Sequence, residues 1–347
     1  MTYRLDASDF GACPPYNEWL DEQFAAGAGK LDILGYQPRP SFVLFTMSPD
    51  TYQAAFDDFR RQREEEVKEL VINEFPSPIA HYFYRFENGY ENELQRLHFL
   101  RDTWEALIDT LHAIAVSECR FLRVALGTPL TFKDCLTDSV AQRLLNIERI
   151  LLQAQADGID LQIVDLVPIT TLQTMRELNQ SRNAFSHTAA QSELQARTWT
   201  GECYEDVIDT LTQLQDLAKV QVLRHMGQAD ARTLRCEVFR GHAFTRTIAN
   251  ISLTEDQART SLRYLRQGQI LILSDEAVFG LRPWVHFRED ASGHTTKLCV
   301  FRRTRGDVPN RRLEYEVVGE STLWDEDRAS FSAELNELRG LFGLEPE

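Results

Sequence analysis

The sequence predicts an α+β protein, in which an N-terminal all-helical bundle is followed by a smaller β-rich domain with a C-terminal helix. Two observations support this class. Apolar residues recur three or four positions apart through residues 78–226, which is the spacing of helices that bury one face. Beyond Gly227 the pattern changes to short segments rich in β-branched and aromatic residues, which favour strands. We therefore expect three parts, over residues 1–77, 78–226 and 227–347.

The first part, residues 1–77, is expected to consist of an arm and one charged helix. Its first ~45 residues are rich in Gly, Pro and Ala and show no sustained period, so we expect little regular structure there. Ser48 and Pro49 then supply an N-cap and a proline at the first helical position, which favour a charged helix as far as about Leu70.

The bundle is expected to contain four long helices that run up and down. They are predicted over residues 94–125, 138–158, 172–185 and 204–222. Gly158 is well placed to end the second of them, because glycine readily adopts the left-handed conformation that often follows a helix. The apolar run 159–167 is too short to assign by its period, and we expect either a strand or a turn there.

The β-rich part is expected to hold six strands and two helices. The strands are predicted over residues 234–239, 244–253, 269–273, 284–288, 297–303 and 313–318. A helix is expected to begin at Thr254, where Gln257 three residues later completes a capping box. A further helix is expected over residues 330–342, after the last strand.

Charge is distributed unevenly along the chain, whose formal net charge is −16. This sum argues against a protein that coats nucleic acid by bulk attraction, because phosphate binding draws on Lys and Arg. Residues 224–312, however, contain 16 basic and 9 acidic residues, a net charge of +7, so the remainder carries −23. A basic C-terminal part that follows an acidic N-terminal part indicates contact with a polyanion.

Several kinds of location and site are excluded by what the sequence lacks. It has no apolar run of the ~18 residues that cross a membrane and no basic-then-apolar leader, so we expect a cytoplasmic protein with no membrane partner. Its 6 cysteines are scattered singly, which is typical of structural thiols in a reducing compartment. No glycine-rich phosphate loop or zinc-ligand spacing is present, so we expect no cofactor and no metal.

One short motif stands out as a candidate catalytic site. Arg followed by His after four to six residues occurs over residues 182–187, 235–242 and 288–294. The first of these, Arg182-Asn183-Ala184-Phe185-Ser186-His187, alone has Asn directly after Arg and alone lies among long predicted helices. We therefore take it as the candidate and expect the other two to be chance matches.

The residue types of the motif suit the cleavage of RNA without a metal. The imidazole of His187 titrates near neutral pH and serves as a base or an acid. The guanidinium of Arg182 fits phosphate oxygens and neutralises their charge. Asn183 lies four residues before His187 on one helical face, where its amide is placed to orient the imidazole or a phosphate.

This motif resembles the active-site motif Arg-Asn-x-x-x-His of HEPN domains, which are helical bundles and in many cases metal-independent ribonucleases. The resemblance implies an RNA-binding endonuclease in which Arg182, Asn183 and His187 are catalytic and a ribose 2′-hydroxyl attacks the phosphate. It also implies a toxin or antiphage defence effector. Separately from the resemblance, a trigger or inhibitor protein is a candidate partner. The resemblance covers less than half of the chain. The alternative is a HEPN bundle without cleavage, a scaffold or sensor that binds a nucleotide or a partner protein.

Helix geometry places Arg182 and His187 about 140° apart around an ideal helix, which is unfavourable for a site within one helix. In the HEPN family two domains pack with both motifs facing one cleft. For a chain with a single motif, the resemblance therefore implies a homodimer formed through the bundle. A bend of the helix near Ser186 is the other arrangement that brings the two side chains together.

Four further residues are candidates for contact with the substrate. Ser186 directly precedes the histidine of the motif, and Arg302, Arg303 and Arg305 form a basic cluster beside Phe301. Such a cluster is suited to the phosphates of RNA. Positive charge that protects a solvated edge strand predicts the same residues, and the sequence leaves both interpretations open.

Overall fold

The structure is a computed structural model that describes residues 9–11, 13–25, 39–186, 192–243, 247–274, 277–289, 296–306, 312–320 and 322–346. For Ala25 and residues 181–186 it describes the backbone alone. An N-terminal helical region is followed by two antiparallel sheets and a C-terminal helix, which confirms the α+β class. Within these ranges no helix combines the length and the apolar character needed to cross a bilayer.

The helices of the described residues are α1 (Pro14–Ala25), α2 (Pro40–Met47), α3 (Pro49–Glu74), α4 (Ser77–Asn88), α5 (Glu93–Leu122), α6 (Phe132–Cys135), α7 (Val140–Asp157), α8 (Gln162–Leu166), α9 (Ile169–Ser186), α10 (Glu193–Gln213), α11 (Glu255–Ser261) and α12 (Ser332–Leu341). The strands are β1 (Gln221–Asp230), β2 (Thr233–Phe239), β3 (Thr247–Ser252), β4 (Ile270–Leu273), β5 (Val278–Gly280), β6 (Val285–Glu289), β7 (Thr296–Arg305), β8 (Arg312–Val317) and β9 (Leu323–Asp327). Apart from α11 and α12, these helices precede the strands along the chain.

The strands form two sheets in which neighbouring strands are antiparallel. One sheet has the order β3-β2-β1-β4-β5, and the other has the order β6-β7-β8-β9. The six predicted strands correspond to β2, β3, β4, β6, β7 and β8 and are confirmed, whereas β1, β5 and β9 are additional to the prediction. The helix predicted as far as Val222 is wrong at its end, because α10 stops at Gln213 and Val222 lies in β1.

Local signals in the sequence explain where several helices begin and end. α7 begins after Ser139, whose side chain caps the helix, and it ends at Gly158, which has a φ of 63° as the prediction requires. Thr254 and Gln257 form the predicted capping box at the start of α11. These boundaries are set by residues adjacent in sequence, which is why the sequence predicts them.

The apolar run 159–167, expected to be a strand or a turn, instead contains the short helix α8. The carboxylate of Glu118 on α5 accepts hydrogen bonds from the backbone N–H groups of Gln162 at 2.6 Å and Ile163 at 3.1 Å. These are N–H groups that a helix start leaves without partners inside the helix. A distant carboxylate therefore stabilises the helical conformation of this run.

The chain divides into two compact units, residues 1–68 and 69–347. The first unit has a largely aromatic core, whose buried members include Tyr16, Tyr52, Phe56 and Phe59. The hydroxyl of Tyr16 donates to the backbone carbonyl of Tyr52 at 2.6 Å. The expectation of little regular structure over the first ~45 residues is therefore wrong for α1 and α2, because aromatic packing rather than a regular apolar period stabilises these helices.

The second unit is organised around α5, a helix of 30 residues. Most residues between Leu97 and Cys119 are buried, because apolar side chains occupy every side of this stretch rather than one face. The elements that pack against it are α4, α7, α8, α10, α12 and β5. A single helix therefore positions elements of both the bundle and the β-rich part.

The turn after β2 is fastened to the end of α3 by backbone hydrogen bonds. The N–H of Gly241 donates to the carbonyl of Phe75 at 2.9 Å. The N–H of His242 donates to the carbonyl of Ile72 at 2.8 Å. Gly241 has a φ of +73°, and a Cβ added to it would lie 2.9 Å from the carbonyl oxygen of Asn73. Both the conformation and the space therefore require glycine at this position.

We expect Gly241→Ala to lower the free energy of unfolding by at least about 1–2 kcal/mol, because alanine is strained in the left-handed conformation. Gly201→Ala is the matched control, since Gly201 is exposed in α10 with no atom within 4 Å of the added Cβ. This control is expected to raise the free energy of unfolding by about 0.5–1 kcal/mol. Urea unfolding measures both changes, and a shift of the same sign and size in the two variants would contradict the prediction.

Candidate functional site

The predicted motif lies at the C-terminal end of α9. This helix ends at Ser186, so Arg182, Asn183 and Ser186 have a helical backbone, as the sequence predicts. Their side chains, and the whole of His187, lie outside the described residues. The structure thus provides the helical setting of the motif and the elements that surround it.

α9 packs against α7 and α10. Its buried side chains include Leu172, Met175 and Leu178. An ion pair joins Arg176 to Glu148 of α7. The hydroxyl of Thr171 lies 2.7 Å from Oε1 of Gln213, which joins the start of α9 to the end of α10. The two helices are therefore antiparallel, and the motif end of α9 lies at the same end of the bundle as the start of α10.

The start of α10 also lies beside the start of α5. The backbone N–H of Glu93 donates to Oε2 of Glu193 at 2.8 Å. Asn92 and Ser192 cap these two helices by accepting hydrogen bonds from backbone N–H groups in the first turn. Two helix N-termini, which carry partial positive charge, therefore lie at the motif end of the bundle. The carboxylate of Glu193 offsets part of that charge.

Two buried polar side chains lie inside the bundle, beyond the first turns at the motif end. Asn179 is seven residues before the end of α9, and Thr200 is seven residues after the start of α10. Among the described residues, neither Oδ1 of Asn179 nor Oγ1 of Thr200 has a hydrogen-bond partner. Buried polar atoms are nearly always paired, so these oxygens call for water or for partners beyond the described side chains. The helix pair that carries the motif is therefore partly polar inside.

The other two Arg-to-His segments lie in the β-rich part. Arg235 belongs to β2, and Arg288 belongs to β6. The ring of His242, in the turn after β2, stacks on the ring of Tyr84 with 4.1 Å between centroids. His294 lies outside the described residues. Only the 182–187 segment therefore begins within a helix of the bundle.

Arg302, a candidate for substrate contact, belongs to a partly buried ion-pair network between β7, β8 and α5. Its Nη1 lies 3.2 Å from Oε2 of Glu105 and 3.0 Å from Oδ2 of Asp109. Its Nε donates to Oε2 of Glu316 at 2.6 Å. Burial alone would lower the pKa of Arg302, but the three carboxylates together raise it above its usual value. These contacts occupy the guanidinium, which favours a structural role over phosphate binding.

Arg303 and Arg305, the other two candidates on β7, both pair with Glu314 of β8. The distances are 2.7 Å from Nε of Arg303 and 3.4 Å from Nη1 of Arg305. The Glu314 side chain is only 2% exposed, against 49% and 66% for the two arginines. In the described ranges this end of β7 extends past β6 and pairs with β8 alone. The two arginines therefore neutralise a buried carboxylate and line an open strand edge.

Arg302 contacts α5 at a distance from the motif end of the bundle. Arg302 contacts α5 at Glu105 and Asp109, which are 12 and 16 residues from Glu93 at the motif end. At about 1.5 Å per residue, these positions lie roughly 18 and 24 Å along the helix axis. Arg302 therefore lies well along α5 from the end of the bundle at which the motif begins.

The apolar period of α5 conceals a row of polar residues. Glu105, Asp109 and His112 are four and three residues apart, so they lie on one face of the helix. Asp109 forms a buried ion pair with Arg143 of α7, and Nη2 of Arg143 donates to two backbone carbonyls of β7. This network is not among the features predicted from the sequence. Polar residues at helical spacing inside an apolar stretch are the signal that identifies it.

His112 is buried on the same face of α5. Its Nε2 lies 3.3 Å from Nδ2 of Asn146, and its ring packs edge-to-face on Trp284 with 5.4 Å between centroids. Burial, reinforced by the charge of Arg143, lowers the pKa of His112 to about 3. The imidazole is therefore neutral in the folded chain at mildly acidic pH.

We expect His112→Gln to weaken the dependence of stability on pH below about 6.5. An unfolded histidine binds a proton below about pH 6.5, whereas His112 in the folded chain binds one only near pH 3. The unfolded state thus binds more protons in this window. The stability that neutral His112 contributes is therefore present above this pH window. It is lost as the pH falls through the window, at up to about 1.4 kcal/mol per pH unit. Urea unfolding at intervals from about pH 7 to 4 measures the slope.

His98→Gln is the control for this prediction, because His98 lies on the same helix and is exposed. Loss of packing is expected to lower the absolute stability of the His112→Gln variant at every pH, so the slopes are compared and not the values. Equal slopes for the wild-type chain and the His112→Gln variant would contradict the prediction, as would an equal change of slope in the control.

Comparison of the chain with protein-family models, with curated proteins and with solved structures finds no match. The resemblance to HEPN domains therefore rests on the Arg182–His187 motif and its helical setting alone.

Proposed function

We propose that the chain is a metal-independent endoribonuclease of HEPN type that uses Arg182 and His187. The observation that carries the proposal is the setting of the motif. Arg182 and Asn183 lie in the last turns of α9, in an antiparallel helix pair, whereas the other two Arg-to-His segments begin on strands. The N-termini of α5 and α10 lie at the same end of the bundle, where the carboxylate of Glu193 offsets part of their positive charge.

The reaction follows from the chemistry of these side chains. His187 removes the proton of a ribose 2′-hydroxyl, whose oxygen then attacks the adjacent phosphorus. The bond from phosphorus to the 5′-oxygen breaks, and that oxygen takes up a proton from a protonated His187 imidazole of the site, so no net proton is gained or lost. Arg182 stabilises the negative charge on the phosphate oxygens as the new bond forms. The products are a 2′,3′-cyclic phosphate and a 5′-hydroxyl.

We expect purified protein to cleave total RNA in the presence of EDTA. Arg182→Ala and His187→Ala are each expected to lower the rate by roughly 100- to 10,000-fold, the range typical of acid–base and charge-stabilising groups. Asn183→Ala is expected to have a smaller effect, because the amide orients another group. End-labelling measures the 2′,3′-cyclic phosphate ends.

Arg176→Ala and Arg235→Ala are the controls. Arg176 lies on the same helix outside the motif, and Arg235 begins one of the other Arg-to-His segments. Both variants are expected to retain full cleavage. Absence of cleavage by a folded dimer, including with a candidate trigger protein added, would favour the non-catalytic scaffold instead. The proposed role as a toxin or antiphage effector is tested separately by expressing the chain in growing cells. The wild-type chain is expected to arrest growth, and His187→Ala is expected to relieve the arrest.

The proposal includes a homodimer, because Arg182 and His187 project from different sides of an ideal helix. Leu194 in the first turn of α10 is 76% exposed, at the motif end of the bundle. A large exposed apolar side chain beside a candidate site suits a contact with another protein surface. We assign this contact to a second copy of the chain.

We expect Leu194→Glu to convert the dimer to a monomer and to lower cleavage at least about tenfold, because a buried unpaired carboxylate opposes association. Leu152→Glu is the matched control, since Leu152 is 48% exposed but lies on α7. Sedimentation velocity and the RNA assay are applied to the same samples. A Leu194→Glu variant that remains dimeric and active would exclude this surface as the dimer contact.

A further inference from the structure

A cavity of about 470 Å³ lies at the end of α5 opposite to the motif. Its walls are the C-terminal end of α5, the segment that follows α11, strand β5 and helix α12. The volume falls within the roughly 300–1,000 Å³ that is usual for small-molecule sites. α5 has 30 residues, so the cavity and the motif end are separated by about 45 Å along this helix.

Three exposed arginines line the cavity from two different elements. Arg123 follows α5, while Arg263 and Arg266 follow α11. None of the three forms an ion pair with another described residue. Exposed guanidiniums that converge on one cavity without counter-ions favour an anionic ligand, and their geometry suits phosphate oxygens.

The carboxylates of the cavity wall do not neutralise these arginines, because each pairs with a less exposed guanidinium. Oε2 of Glu337 lies 3.6 Å from Nε of Arg120, and Oε1 of Glu334 lies 3.7 Å from Nε of Arg282. Arg120 also donates to the carbonyl of Gly280 at 2.7 Å and to that of Arg282. It is thereby fixed in the wall, and the positive charge of the three exposed arginines remains.

Arg123 has an unusual backbone conformation. Its φ of 56° is left-handed, and among the described residues it is the one position other than glycine with a positive φ. Its N–H bonds to the carbonyls of Cys119 and Arg120, which ends α5. Glycine would adopt this conformation without strain. This conformation ends α5 and places Arg123 on the cavity wall.

Aromatic side chains form the apolar side of the cavity. Phe121 and Phe279 are stacked with 5.7 Å between centroids, and Tyr264 packs edge-to-face on Phe121 at 6.2 Å. The guanidinium of Arg263 lies 4.7 Å from the ring centroid of Tyr264. Tyr264 is 45% exposed, so part of its ring is available to a ligand. The flat face of a nucleobase stacks on such a ring.

We propose that this cavity binds a free nucleotide, with its phosphates on Arg123, Arg263 and Arg266 and its base against Tyr264. The proposal does not depend on RNA cleavage, because the cavity lies at the other end of α5 and is assayed by binding. The same chemistry is offered by the terminal nucleotide of an RNA strand. A walled cavity of this volume matches a single nucleotide better than a polymer, so the free form is the ligand proposed.

Isothermal titration of the purified full chain with each of ATP, GTP, CTP and UTP tests the proposal. At least one nucleoside triphosphate is expected to bind, and at least about tenfold more tightly than its nucleoside or inorganic tripolyphosphate. Absence of binding by all four at millimolar concentration overturns the proposal. The proposal is also overturned if tripolyphosphate binds as tightly as the nucleotides. It is overturned as well if a 12-nucleotide RNA binds and none of the four nucleotides does.

Variants of the cavity residues test whether the nucleotide binds in this cavity. The double variant Arg263→Ala/Arg266→Ala is expected to weaken nucleotide binding at least about tenfold, and Tyr264→Ala to abolish the preference for nucleotide over tripolyphosphate. The matched control is Arg259→Ala, an exposed arginine of α11 that pairs with Asp256 outside the cavity. If the control loses as much nucleotide affinity as the double variant, or if the double variant loses none, the assignment of the nucleotide to this cavity is overturned. Thermal melting checks that each variant is folded.

Discussion

The carboxylate of Asp109 joins the helices of the bundle to the β-rich part. It pairs with Arg143 of α7 and with Arg302 of β7, so three elements meet at one buried charge. Arg143 also donates to the carbonyls of Phe301 and Arg302, which lie where β6 no longer pairs with β7. A buried charge that lacks its partner costs about 3–5 kcal/mol. The position of α5 is therefore coupled to the positions of both neighbours.

The same helix organises the two candidate ligand sites. Its first turn lies beside the start of α10 at the motif end of the bundle, and its last turn forms a wall of the arginine-lined cavity. Arg302 contacts it between these ends, where the guanidinium neutralises carboxylates. Arginine thus has two roles along α5. Where it is buried it stabilises the fold, and where it is exposed without a counter-ion it is available to a ligand.

The sequence predicts those features that depend on residues close together in the chain. A regular apolar period is sufficient to predict α5 and α7. The motif is recognisable because its residues are contiguous in the sequence. β1 is concealed because Val222 continues the helical spacing of the preceding residues, and β9 is concealed by the acidic residues of Leu323–Asp327. Arg123 and Arg263 are 140 residues apart, so only the tertiary fold brings them to one cavity.

The passage from α10 to β1 requires only a short 3-10 turn over Gln215–Lys219. Leu214, Leu217 and Val220 around this turn are buried, so the chain between the helices and the sheets is part of the core. A recombination event that exchanged either part for an unrelated one would cut through this core and separate Asp109 from Arg302. In evolution the two parts are therefore expected to be inherited together, as one gene segment and not as interchangeable modules.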